Sequence, residues 1–288
     1  MRNRFLRFPG GKPKAVTFSY DDGEREDIRL AQIINRYGIK CTFNINSDFV
    51  AQMPGKKKLA LEEIKTYLLD SGHEVAVHGA NHRALGKARA IDGITDVLKC
   101  RVSLEKAFGI IVRGMAYPGS GITVMVNNAS YENIRQYLKD LDIAYARTLD
   151  GDNNLFMLPT DWYAWMPTAH HDNPKVLEYA KKFVEIDIDN SSVTRYCPRL
   201  FYLWGHSYEF EHNDNWDLLE TLCEILGRRD DIWYATNIEI YEYVQAYNSL
   251  VYSADGSIVY NPTFFDVWFD VDQKLYKIKP GETLILNN

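Results

Sequence analysis

Two adjacent carboxylates, Asp21 and Asp22, end an apolar run (AVTFSY, 15–20) and are followed by Gly23. Along an unbroken strand neighbours face opposite sides, but at a strand-to-loop break both can turn into one pocket. Two carboxylates side by side repel, which raises one pKa unless a cation stands between them. A turn with a helix N-cap would use the same residue types. A second group, His78-Gly79-Ala80-Asn81-His82, closes another apolar run (HEVAVH, 73–78). Two imidazoles four residues apart can face one way. A Glu directly after the first would make the zincin protease pattern, and Gly79 excludes it. Asp22 with His78 and His82 makes a two-His, one-carboxylate set with open positions. That set suits catalytic zinc, and it suits non-haem iron too. A third group, Leu203-Trp204-Gly205-His206, ends the run LFYLW. A hydrogen-bonded core histidine is the alternative there.

The segments that must position these groups alternate. Short apolar runs at 15–20, 41–46, 73–78, 110–117, 143–147, 200–204 and 232–235 predict strands. Between them, helical spacing predicts amphipathic helices. One covers 24–37, with Ile28, Ala31 and Ile34 on one row and Leu30, Ile33 and Tyr37 on a second. Others fall near 61–68, 94–108, 130–141, 174–184, 218–226 and 238–248. Repeated strand–helix units imply parallel strands with crossover helices. About seven of them within about 250 residues favour an α/β barrel over an open sheet. All three chemical groups then fall at C-terminal strand ends, where barrel enzymes build their sites. Residues 149–172 break the alternation and read as a long functional loop. After residue 250, short β-like runs are separated by Asp255-Gly256, Asn261-Pro262 and Pro280-Gly281. The expected division is a barrel over residues 1–249 and a small β-rich extension over 250–288, packed on the barrel because alone it would be too small to be stable.

Composition narrows the class. The 288 residues are 46% hydrophobic and 25% charged, ordinary for a soluble globular chain. A net charge of −6 argues against a nucleic-acid binder. The four cysteines lack CxxC spacing and read as free thiols. No run approaches the roughly 20 apolar residues of a membrane span. Arg2, Arg4 and Arg7 lead into Pro9-Gly10-Gly11-Lys12-Pro13, not into the apolar stretch of a secretory signal. The expectation from this is a cytoplasmic chain.

Taken together, the three groups resemble the polysaccharide deacetylase family, the chitooligosaccharide deacetylase homology domain. Its TFDDG motif is matched by Thr17-Phe18-Ser19-Tyr20-Asp21-Asp22-Gly23 with two extra residues. Its H-(S/T)-x-x-H motif is matched by His78 to His82, with Gly79 where Ser or Thr is usual. Its late LxxH is matched by Leu203 to His206. The likeness covers roughly residues 10–245. It implies a deformed (β/α) barrel with about seven parallel strands. It also implies a metal-dependent deacetylase of an N-acetylated, or O-acetylated, sugar or oligosaccharide. Asp22, His78 and His82 would hold one divalent ion, zinc first, with Co, Mn, Ni or Fe also accommodated. Asp21 would be the base and His206 the acid.

The third family motif departs. Aligned on Tyr117-Pro118-Gly119, its usual Arg falls on Ala116. Arg113 or Arg147 could supply that charge to Asp21, and the sequence leaves both open. Gly119 would offer the oxyanion N–H beside Tyr117. In the long loop Asp161 would support the acid histidine and Trp162 would close a pocket wall. His170 and His171 would bind substrate or support His206. Trp162, Trp165 and Trp204 offer sugar-stacking surfaces. Glu209 reads as a polar flank. Rival readings are a hydrolase of a non-sugar amide, a non-catalytic sugar-binding relative, and an iron oxygenase on the same trio.

Overall fold

The computed structural model describes residues 3–52, 56–149, 152–188 and 197–286. Its strands are β1 (Arg4–Arg7), β2 (Lys14–Asp21), β3 (Cys41–Ile45), β4 (Glu74–Val77), β5 (Gly114–Ala116), β6 (Tyr145–Arg147), β7 (Ala169–His170), β8 (Arg199–Gly205), β9 (Ile232–Tyr234), β10 (Val251–Tyr252), β11 (Ile258–Tyr260), β12 (Val267–Val271), β13 (Lys274–Ile278) and β14 (Thr283–Ile285). Its helices are α1 (Asp27–Arg36), α2 (Ser47–Gln52), α3 (Leu61–Glu63), α4 (Ala90–Phe108), α5 (Tyr131–Asp140), α6 (Val176–Glu185), α7 (Ser207–His212), α8 (Trp216–Leu226) and α9 (Asn237–Asn248).

Seven strands run in the order β6-β5-β4-β3-β2-β8-β7, all parallel, and β9 pairs with β2 as well. β2 carries the sheet. Its Lys14–Tyr20 face β8, its first three residues also face β9, and its last four face β3. All eight of its residues are buried. That matches the near-continuous apolar runs expected of a parallel sheet covered on both faces. A parallel bridge between Arg147 and Trp165 brings the chain just before β7 alongside β6. The sheet therefore curls into a half-barrel, the deformed (β/α) barrel expected from the sequence.

The helices bury the predicted faces. In α1, Leu30, Ile33 and Ile34 pack into the main core with Phe18, Phe43 and Leu222. Each such side chain contributes about 1.5–3 kcal/mol through burial. α5 begins at Ser130, whose hydroxyl accepts the Asn133 N–H. α9 begins with a Thr236–Glu239 capping box. Such caps are worth about 1 kcal/mol each. The segment after α3 winds as a π-turn over Ile64–Leu69, so the expected helix there is present in a wider form.

Beyond residue 250 the strands are antiparallel and form two three-stranded sheets, β10-β11-β14 and β1-β12-β13. β1 comes from the start of the chain, a pairing that local periodicity does not reveal. It ties the tail to the barrel. The Tyr243 hydroxyl on α9 adds a second tie, since it donates to the Arg7 carbonyl and accepts the Trp268 N–H. Among the described residues no helix is long and apolar enough to cross a membrane.

Candidate active site

The chemical groups converge at the C-terminal ends of the strands. Asp21 is the last residue of β2 and is fully buried. Asn44, near the end of β3, donates to its Oδ1 at 2.8 Å. Arg147, the last residue of β6, places one terminal nitrogen 2.6 Å from Oδ1 and 2.5 Å from Oδ2. A single nitrogen straddles both oxygens, so the contact is not a two-nitrogen fork. The guanidinium lies over the Trp204 ring at 4.4 Å from its centroid. Burial alone would push the Asp21 carboxyl up. The Arg147 charge, aided by His78 and His206, holds it at about 2.

Asp22 faces a different way. Its backbone is left-handed, with φ of 78°, and His82 is likewise at 52°. For non-glycine residues such backbone costs about 1–3 kcal/mol and clusters at functional sites. Asp22 Oδ1 stands 3.6 Å from His78 Nε2 and 3.6 Å from His82 Nε2. It is buried and accepts no hydrogen bond among the described residues. His78 Nδ1 is 3.0 Å from the Ala116 carbonyl at the end of β5, which fixes the tautomer and leaves Nε2 free. Two ligands about 2.0–2.1 Å from a tetrahedral ion lie about 3.3 Å apart. The three donor atoms lie within 4.8 Å of one another, so the set fits a divalent ion. Gly79 has a local reason. A Cβ there would collide with Asp96 Oδ2, and Asp96 Oδ1 accepts the Asn81 N–H at 2.9 Å, which shapes the loop between the two histidines.

His206 follows β8, and its Nδ1 is 3.3 Å from Glu209 Oε1. Burial would push His206 down, but its contact with Glu209 and the nearby Asp21 charge raise it to about 8. Glu209 also receives the His206 backbone N–H at 3.1 Å and faces His170 Nε2 at 3.3 Å. It is the functional candidate that the sequence undersells. The H-x-x-E spacing of a capping box at the start of α7 was its visible signal. His170, His171, Asp172 and Glu209 also bring donor atoms within 4.8 Å of one another. However, His170 Nδ1 accepts the Asp172 N–H at 3.1 Å. Its Nε2 therefore carries the proton of the neutral ring and points it at Glu209. Glu209 and His170 thus lie together beside His206, while both ring nitrogens of His171 are buried without a hydrogen-bond partner among the described residues.

Other expected residues lie elsewhere. Arg113 precedes β5, at the opposite end of the strand from the site, and its terminal nitrogen is 3.2 Å from Asp142. Asp161 accepts the Tyr163 N–H and the Tyr131 hydroxyl, capping a short turn instead of meeting His206. Trp162 packs edge-to-face on Trp165 and Tyr241. Tyr117 is buried and donates to the Tyr163 carbonyl, so its ring is a core element. Trp204 is only 9% exposed and gives its face to Arg147, not to a sugar. Gly119 is exposed, and its N–H meets no acceptor among the described residues. His171 is buried, stacked on Phe210 at 4.1 Å. A Cβ at Gly205 would collide with its Nδ1. Gly205→Ala is therefore expected to cost about 1–3 kcal/mol by overpacking, read as a Tm lowered by several degrees. An unchanged Tm would contradict this packing.

A family model described as polysaccharide deacetylase matches residues 9–146, which hold Asp21, Asp22, His78 and His82. Over these residues, just under half of the chain, the sequence is similar to the polysaccharide deacetylase family. No curated protein matches the chain. Solved structures show where the family fold recurs. A putative polysaccharide deacetylase from Mycobacterium smegmatis superposes with a TM-score of 0.58 at 17% identity, over 84% of this chain and 94% of that one. The Xyl-CE4 domain of a multidomain xylanase from the hindgut metagenome of Trinervitermes trinervoides gives 0.51 at 16%, over 82% and 92%. Puue allantoinase gives 0.57 at 12%, over 82% and 91%. At these identities the likeness is one of fold.

Proposed function

We propose that this chain, similar to the polysaccharide deacetylase family over residues 9–146, is a divalent-metal-dependent hydrolase that removes acetyl groups from an N-acetylated sugar or oligosaccharide. An O-acetyl ester would undergo the same chemistry. The observation that carries the reading is the division of labour between neighbouring carboxylates. Asp21 is locked on Arg147 and Asn44, while Asp22 leaves an oxygen open toward two imidazoles.

A divalent ion held by Asp22, His78 and His82, zinc first, would polarise the acetyl carbonyl and acidify the attacking water. Asp21, ionised throughout the working range, accepts the water's proton. Its Oδ2 lies 3.7 Å from His78 Nε2, at the edge of the ligand set. Gly119 offers its N–H to the oxygen that gains charge as the water adds. His206, held at Nδ1 by Glu209, donates from Nε2 to the leaving nitrogen. The C–N bond breaks, and acetate and a free amine result. Arg147, bonded to Asp21, stands in for the charge that the third motif lacks at Ala116, which supports the catalytic reading over a non-catalytic relative.

The test is acetate release by the metal-loaded chain from N-acetylglucosamine oligomers, set beside ring opening of cyclic ureides. Turnover of ureides alone would overturn the sugar reading. The acid role has its own test. His206 donates only when protonated, so activity falls as pH rises through about 8. Glu209→Gln removes the carboxylate that raises it, so the alkaline limb of the kcat/KM profile is expected at lower pH, with a several-fold loss at pH 8. A limb that stays in place would contradict the role of Glu209.

A further inference from the structure

The loop after the second motif has chemistry that the deacetylation step does not use. Arg83 follows the proposed ligand His82 directly, and Lys87 and Arg89 follow within the same loop. These three exposed cations, with Asp92, Asn127 and Asn128, line an open depression of about 620 Å3. That volume is in the range of small-ligand sites.

The depression has defined walls. The Gly86 N–H donates to the Gly121 carbonyl, and the Val126 N–H to the Gly86 carbonyl, both at 2.9 Å. Asn127 Nδ2 donates to the Lys87 carbonyl at 2.9 Å. These bonds knit the loop to the one that carries Tyr117 and Gly119. A Cβ at Gly119 would meet Ala84, another wall residue, at 3.5 Å. The depression therefore adjoins both the ligand histidine and the proposed oxyanion donor.

Its charge runs against the chain's average. Arg89 is committed to Asp92, with contacts of 2.9 and 3.2 Å. Arg83 and Lys87 have no ion-pair partner among the described residues. The three cations around the depression outnumber its one carboxylate, and Arg83 also borders Asp92 and Asp96 on its other side, in a chain of net charge −6. A local excess of cations attracts anions.

We propose that this depression is a subsite for an anionic substituent, a carboxylate or a phosphate, on a sugar next to the acetylated one. The inference rests on the deacetylase reading for its substrate class. The site would then select acidic acetylated saccharides over neutral ones.

The test compares three acetylated oligosaccharides of equal length on the metal-loaded full chain. One is neutral, one carries a carboxylate on the neighbouring sugar, and one carries a phosphate there. Affinity by calorimetry and kcat/KM for acetate release are both read. An anionic oligomer is expected to be favoured about tenfold, with the preference shrinking at about 0.5 M salt. Which anion gains identifies the substituent. Arg83→Gln with Lys87→Gln should bring the ratio near one. Because Arg83 adjoins His82, Lys87→Glu alone is the second variant and should reduce the ratio by itself. Salt-sensitive anion binding without any acetate release would overturn the deacetylase reading and leave the subsite standing. Equal affinity and turnover for neutral and anionic oligomers, or a preference that survives in both variants, would overturn the subsite.

Discussion

Asp21→Asn is expected to lower kcat for acetate release by about a thousandfold while leaving metal binding intact. General-base removal typically costs a factor of about 10²–10⁴. Asparagine keeps the size of the side chain and an oxygen for Asn44 and Arg147, so the walls of the site stay in place. Its amide cannot take a proton from water. The ligand set does not include residue 21, so ion binding at Asp22, His78 and His82 should persist. Metal content and kcat are measured on the same sample. Unchanged kcat would remove Asp21 from the mechanism, and loss of both quantities would place it among the ligands.

Arg147→Met should damage stability and activity together. The arginine is fully buried beside a fully buried carboxylate. Removing one partner of such a pair costs about 3–5 kcal/mol, because the remaining charge is stranded. At present Asp21 sits at about 2, below its ordinary value of 3.8. Its contribution to stability is thus present above pH 3.8 and lost as pH falls through about 2. Without Arg147, burial wins and the carboxyl rises. The acid limb of the pH–rate profile then moves upward, and activity lost at neutral pH returns in part on the alkaline side, up to the limit set by His206. A variant with a wild-type Tm and an unmoved acid limb would contradict the pairing. The double variant Asp21→Asn/Arg147→Met should recover part of the stability, since neither charge is then stranded.

These two residues also illustrate what the sequence could and could not convey. Asp21, Asp22, His78 and His206 each end an apolar run, so their place at strand ends was legible from hydrophobic pattern alone. The choice between Arg113 and Arg147 was not, because it turns on where a three-residue strand begins. Arg113 precedes β5, whereas Arg147 closes β6. Tyr117, Trp162 and Trp204 are aromatic types that serve a core as well as a binding surface. Only their partners, the Tyr163 carbonyl, Tyr241 and Arg147, assign them to packing. Glu209 needed the start of α7 to turn its carboxylate back on His206. The pairing of β1 with β12 joins residues near opposite ends of the chain, which no local window can register.

In the proposed mechanism Asp22, His78 and His82 hold the ion at which acetyl groups are removed. The deciding measurement is acetate release from N-acetylglucosamine oligomers during zinc titration of the chelator-stripped chain. No release is expected without metal, then a rise with the first equivalent and a plateau at one ion per chain, with neither rise nor plateau in His78→Ala. Equal release with and without zinc, or the same titration curve in His78→Ala, would contradict it.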